Sequence, residues 1–443
     1  MIFSSIEFLI FFVIFILSLK LFKKYQSEII IYYSIFFYGF WDLKFTLLIL
    51  YLLFSTYYFL KKEINLKISI ICLLLPLFYF KYSFFFVDLF ELNFLKNFSY
   101  NGNLPLGISF ISFTCIAAIV DIHLKSFNKQ EIKLKNFSQF ILYFPQLIAG
   151  PILRLKDLLH IFNKKILFDQ SNLKFGLVLF LIGFIKKIYF ADTIGNYIDP
   201  IFLDLENVNP SKLHKAFLLF PIQIYFDFSG YVDMALGISN CLSIKLPINF
   251  NKPYLTSSLT EFWRNWHITL SNWFRDYIYI PLGGSKKRPM VRNMNLILTM
   301  SIAGLWHGAS LNFILWGFLN GLILALEKYF KFHEKKNNFK IIINCFIIFN
   351  LWIIFRIQDF NVLINFFIIL YSNILLFFEL SNILVLLFVV LLIFTQKFED
   401  INKIYILSNK LKFSYTIPFF IVVLFIGFAM NAGQSDKFIY FDF

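Results

Sequence analysis

Charged residues are scarce. Asp, Glu, Lys and Arg make up 15% of the 443 residues, where a soluble domain carries about a quarter. That scarcity excludes an ordinary soluble enzyme, and the long polar helices of a soluble doubly wound fold are missing too. Cysteine is limited to Cys72, Cys115, Cys241 and Cys345, far apart and mostly inside apolar runs. They offer neither metal-type spacing nor a disulfide framework. No Gly-rich phosphate loop occurs, since Gly283-Gly284 has no Lys-Ser/Thr behind it. The N-terminus lacks a basic region and a small-residue cleavage site, so its first apolar run reads as a retained span and not a signal peptide. No internal repeat or soluble linker is visible, which predicts one integral-membrane domain over 1–443.

What is present is apolar surface: 59% of the residues are hydrophobic. The chain reads as an all-α polytopic membrane protein. Spans are predicted over 6–22, 29–41, 45–60, 66–86 and 105–122. Lys20, Lys23 and Lys24 follow the first run while nothing positive precedes it, which puts the N-terminus outside. The Gly150-Pro151 break makes 137–151 a re-entrant segment, tolerable only inside protein or a cavity. Lys186 and Lys187 close the span 173–190, where they can snorkel. Asp227 and Asp233 lie in 213–236 and must face the interior. They read as a proton relay, a substrate contact or, the favoured alternative, buried ion-pair partners. Runs 294–310, 311–326, 341–355 and 417–429 follow, while 364–377 and 384–394 stand between spans and interfacial helices. The net charge of +15 sits between apolar runs, the pattern of cytoplasmic loops, so membrane lipid and not nucleic acid is its partner.

The stretch 261–312 concentrates what the rest lacks. Glu261, Arg264, His267, Ser271 and Arg275 recur at helical spacing and predict one polar face. Trp263, Trp266, Leu270, Trp273 and Tyr277 fall opposite, as on a helix at a membrane boundary. A Pro-Leu-Gly-Gly turn and the basic cluster Lys286, Lys287, Arg288 and Arg292 lead into the run that carries His307. About 13 helical steps of ~1.5 Å from Met294 place His307 about 20 Å deep, past the midplane. His267 stays near the cytoplasmic boundary, so the two mark two depths on one path. A buried imidazole is a neutral base or, equally simply, a polar group bonded across helices. No carboxylate or cysteine stands at metal-ligand spacing from either histidine, so no metal is expected.

These motifs resemble the membrane-bound O-acyltransferase family, in its alginate O-acetylase and peptidoglycan O-acetyltransferase branch. The matching stretches are 105–110 (PLGISF), 149–154 (AGPILR), 225–237 (YFDFSGYVDMALG), 247–254 (PINFNKPY), 262–284 (FWRNWHITLSNWFRDYIYIPLGG), 305–308 (LWHG) and 438–443 (FIYFDF). The resemblance implies a ring of about 11 or more membrane helices, with re-entrant and interfacial pieces around a central tunnel. It implies His307 as catalytic and His267 as the second, supporting histidine. Trp306, Asn312 and Asp227 would support them. Arg264 and Arg275, with Lys286 to Arg288, would hold CoA phosphates, a task that matches anionic lipid equally well. Tyr440 would be an acyl relay, although position 442, Gln in the family, is Asp442 here; an aromatic belt explains the same tail.

The implied reaction moves acetyl from cytoplasmic acetyl-CoA, used as donor with no bound cofactor, to an extracytoplasmic polysaccharide. An SGNH-type periplasmic acetyltransferase or esterase would be its partner, in the bacterial cytoplasmic (inner) membrane. A teichoic acid D-alanyl transferase is the alternative enzyme, disfavoured by Pro281–Gly284. A transporter or flippase is the alternative class, disfavoured by the lack of inverted repeats.

Overall fold

The computed structural model describes residues 1–124, 132–158, 162, 166, 168–205, 208–332, 337–430 and 439. Among them every regular element is helical. In hydrocarbon each backbone N–H must find a carbonyl within its own segment, and a helix does that without a partner. Six described helices are long and apolar enough to cross a membrane: Leu43–Lys62, Leu66–Leu89, Leu311–Tyr329, Asn338–Arg356, Leu380–Phe398 and Phe413–Met430. Ile108–His123 and Phe360–Ser372 are apolar and shorter. Of the two ambiguous runs, the 384–394 segment therefore lies in a helix of spanning length and the 364–377 segment does not. Phe419, Ile421 and Phe425 on the Phe413–Met430 helix are exposed among the described residues, as faces that acyl chains cover in a bilayer would be.

The chain forms two compact units. The first comprises Met1–Ile182, Tyr231–Pro247 and Ser408–Ser435. Its core is a nest of phenylalanines, with the Phe144 ring 5.2 to 5.3 Å from Phe11, Phe15 and Phe37. Phe144 belongs to the expected re-entrant segment, which is two short helices, Leu134–Leu142 and Phe144–Leu147. All residues from Asn136 to Leu153 are buried, the setting that broken backbone at membrane depth requires. A side chain satisfies the backbone at the break, where the Phe144 N–H donates to Ser34 Oγ at 3.2 Å, and the neighbouring Tyr143 hydroxyl donates to Ser239 Oγ at 3.1 Å.

The second unit comprises Gly183–Gly230, Ile248–Leu407 and Asp436–Phe443. Lys186 and Lys187 do not snorkel. They lie in a π-helical segment, Lys186–Asp192, and both are buried. Lys187 Nζ is 2.7 Å from Asp192 Oδ1 and 2.7 Å from Asp227 Oδ1, while Lys186 Nζ is 2.9 Å from Glu399 Oε2. Asp227 is thus a buried ion-pair partner, as favoured from sequence. A lone carboxylate at that depth would cost far more than a paired one.

The Pro289–His307 and Leu311–Tyr329 helices form a hairpin that packs through glycine. A Cβ added at Gly304 would collide with the Phe313 carbonyl, and one at Gly317 with the Met300 carbonyl. Small residues at such positions let helix backbones approach closely in membranes, where dispersion replaces the hydrophobic drive. The hairpin turn leaves His307 at the last helical position of its helix.

Two substitutions test this packing. Gly317→Leu should force the hairpin apart and lower the thermal midpoint of the detergent-purified protein by several degrees, read by tryptophan fluorescence. Lys187→Met should strand Asp192 and Asp227 and cost about 3–5 kcal/mol, seen as loss of folded protein in size-exclusion chromatography.

Candidate active site

The expected amphipathic helix over 261–277 is not continuous. Leu259–Trp263 ends, and His267 adopts a left-handed backbone, φ 43°, ψ 53°, before Ile268–Phe274 begins. A non-glycine residue in that region is strained and needs support from outside. Asn249 supplies it. Its Oδ1 accepts from Thr269 N at 3.0 Å, from Thr269 Oγ1 at 3.0 Å and from His267 Nδ1 at 3.3 Å, and its carbonyl accepts from Ile268 N at 2.9 Å. The partner lies 18 residues before His267, so no helical period within 261–277 shows it.

The single polar face therefore does not form. The tryptophans opposite it are not a boundary belt either: Trp266 and Trp273 are buried. Trp266 packs on Trp352 at 4.8 Å and on Phe262 at 5.5 Å. The first of the short helices is held from the hairpin. Ser258 caps it by accepting from Glu261 N, and Glu327 accepts from Leu259 N at 2.6 Å and Thr260 N at 2.9 Å. A carboxylate on the exposed N–H groups of a helix start offsets both its own burial and the orphan donors. Glu327 is itself buried.

His307 is 3% exposed and His267 is fully buried. One indole lies between the two histidines. Trp306 is 4.9 Å from the His307 ring and 6.3 Å from the His267 ring, centroid to centroid. Phe228 meets His267 edge-on at 4.7 Å. His267 lies outside the helices of spanning length, and burial pushes its pKa down to about 3. It is neutral at physiological pH, and its Nδ1–H donates to the Asn249 oxygen.

A cavity of about 600 Å³ opens beside His307, within the size range of small-molecule sites. On the His307 helix it is lined by Leu296, Thr299, Met300, Ala303 and His307. They share one helical stripe that extends about 16 Å at 1.5 Å per residue. Arg264, Arg275 and Lys328 also line it. Arg275 is ion-paired with Asp276 at 2.6 Å. The arrangement is a mostly apolar cavity carrying three cationic side chains and one imidazole.

Of the residues expected from sequence, the structure gathers His307, Arg264 and Arg275 around this cavity. Ser285 lines it, but Lys286 to Arg288 do not. His267 and Trp306 stand behind His307. Asn312 is not a cavity residue: its Nδ2 donates to the Ile357 carbonyl at 2.8 Å, tying the hairpin turn to the end of the Asn338–Arg356 helix. Asp227 is likewise outside the cavity, and its Oδ2 accepts from Ile439 N at 2.8 Å. Tyr440 lies outside the described residues. Sequence reasoning missed Asn249 and Glu327. Lys328, in the last turn of the Leu311–Tyr329 helix, was missed too.

A helical membrane protein with a buried histidine on the wall of a mostly apolar cavity that also carries three cationic side chains is the class that fold and site define. The model of the membrane-bound O-acyltransferase family matches residues 30–366, and the chain belongs to that family. A peptidoglycan O-acetyltransferase of Helicobacter pylori is 34% identical over 369 residues, 74% of this chain and 70% of that protein. A probable alginate O-acetylase of Pseudomonas fluorescens is 40% identical over 259 residues, 58% of this chain and 52% of the relative. A teichoic acid D-alanyltransferase of Bacillus subtilis is 29% identical over 246 residues, 52% of this chain and 60% of the relative. The chain spans about half the length of the alginate O-acetylases it matches.

Asn249→Ala removes the acceptor of three hydrogen bonds and leaves buried donors unmet. It should cost about 1–3 kcal/mol, measured as a lower thermal midpoint than Asn249→Asp, which keeps the acceptor oxygen.

Proposed function

We propose that this protein is an O-acyltransferase of the bacterial cytoplasmic membrane, with 1–443 acting as one membrane domain. It transfers an acetyl group from acetyl-CoA, entering from the cytoplasm, to a hydroxyl of an extracytoplasmic polysaccharide, peptidoglycan or exopolysaccharide. The observation that carries this reading is the placement of His307 on the wall of a cavity that also holds Arg264, Arg275 and Lys328. The family membership and the names of the relatives support the acyl chemistry and the glycan acceptor.

In this reading the cations take the CoA phosphates, where a guanidinium or ammonium forms charge-assisted hydrogen bonds. The thioester arm lies along the apolar stripe toward His307. The imidazole takes the acceptor's proton as the hydroxyl oxygen bonds to the thioester carbon. The tetrahedral oxyanion collapses, the carbon–sulfur bond breaks, and the thiolate leaves with the proton from His307. His267 and Asn249 act as positioning residues, holding Trp306 against the back of His307. Asp227 accepts the Ile439 N–H. Tyr440 would then serve as the acyl relay toward an SGNH-type periplasmic partner.

His307→Ala should leave the protein in the membrane and reduce ester-linked acetyl on envelope glycans to background by mass spectrometry. Acetylation at the wild-type level would end the assignment. Lys328→Ala should weaken acetyl-CoA binding by about tenfold, the loss of one charge-assisted hydrogen bond, measured by calorimetry on the purified protein.

A further inference from the structure

The cavity lining on the Pro289–His307 helix ends at His307, and what stands beyond is aromatic. Trp306 meets the imidazole at 4.9 Å, Phe355 at 5.1 Å and Trp316 at 5.3 Å, all edge-on with interplanar angles of 77° to 89°. The three rings are buried, and none of them lines the cavity. A second layer backs them. Phe313 lies 5.0 Å from Phe355, and Trp352 lies 5.4 Å from Phe355 and 6.0 Å from Trp316. Rings packed this way are held near crystal density and yield little space to a guest.

We propose that Trp306, Trp316 and Phe355 are a stop behind His307 that restricts the acyl donor to very short chains, two carbons rather than four or six. The inference rests on the cavity being the donor site. A thioester carbonyl that reaches His307 has its CoA arm on the cavity side. The carbons beyond the carbonyl must then pass the imidazole into the volume these rings occupy. An acetyl methyl needs no more room than the imidazole's own contact shell, whereas a butyryl or hexanoyl chain must displace a ring. With open space there, each added pair of methylenes would tighten binding by about tenfold. The stop reverses that trend.

The test is competition binding to the full-length purified protein, displacing radiolabelled acetyl-CoA with butyryl-CoA and hexanoyl-CoA. The wild type should bind butyryl-CoA at least tenfold more weakly than acetyl-CoA, and hexanoyl-CoA more weakly still. Phe355→Ala should raise hexanoyl-CoA affinity to or above that of acetyl-CoA. Phe355→Leu, a smaller change that preserves an apolar core, should shift butyryl-CoA in the same direction. Equal or tighter binding of hexanoyl-CoA by the wild type would overturn the stop while leaving the donor site intact. So would longer donors bound no better by a folded Phe355→Leu protein. If the wild type binds no acyl-CoA at all, the donor-site reading fails and the stop falls with it.

Discussion

The close approach of the Pro289–His307 and Leu311–Tyr329 helices is the constraint on which the site depends. Gly304 and Gly317 let each backbone into the space a side chain would take on the other. Because lipid tails are as apolar as the side chains they replace, such packing rests on shape and dispersion and not on water exclusion. With the hairpin closed, Trp316 stands against the His307 ring and the adjacent Asn320 accepts from Trp263 Nε1 at 3.0 Å. The hairpin therefore places the imidazole and one wall of the cavity together. Widening it would move both.

Several buried polar groups in the second unit are paired to groups distant in sequence. Asn249 holds the left-handed turn at His267. Glu327 holds the start of Leu259–Trp263. Lys187 joins Asp192 and Asp227, and Asp227 holds Ile439. These pairings are costly to break in a low dielectric. The proposed base and donor site would gain from such pairings, since hydrogen-bonded and packed side chains keep reacting groups near working geometry.

The membrane character and the helical class were legible because hydropathy and charge spacing are local sums along the chain. His307 was legible for the same reason: an imidazole in an apolar run stands out by cost alone. The Asp227 pairing followed from the same argument, though its partner Lys187 read as a snorkelling residue near a span end. The amphipathic pattern over 261–277 misled because Trp and Tyr fit a lipid boundary and a protein core equally well. Only burial decides between them, and Trp266 and Trp273 are core residues. Nothing local marks His267 for a left-handed backbone, since the group that holds it is Asn249.

The sequence by itself determined that this chain lives in a membrane as helices, that it carries the motifs of its family, and that two histidines within it need an explanation. Tertiary structure decided that those histidines share one indole, that Arg264, Arg275 and Lys328 converge on one cavity, and that aromatic rings close the space behind His307. The reason is physical. Burial cost is set residue by residue, whereas a site is made by contacts between segments tens of residues apart, and those contacts exist only once the helices have packed.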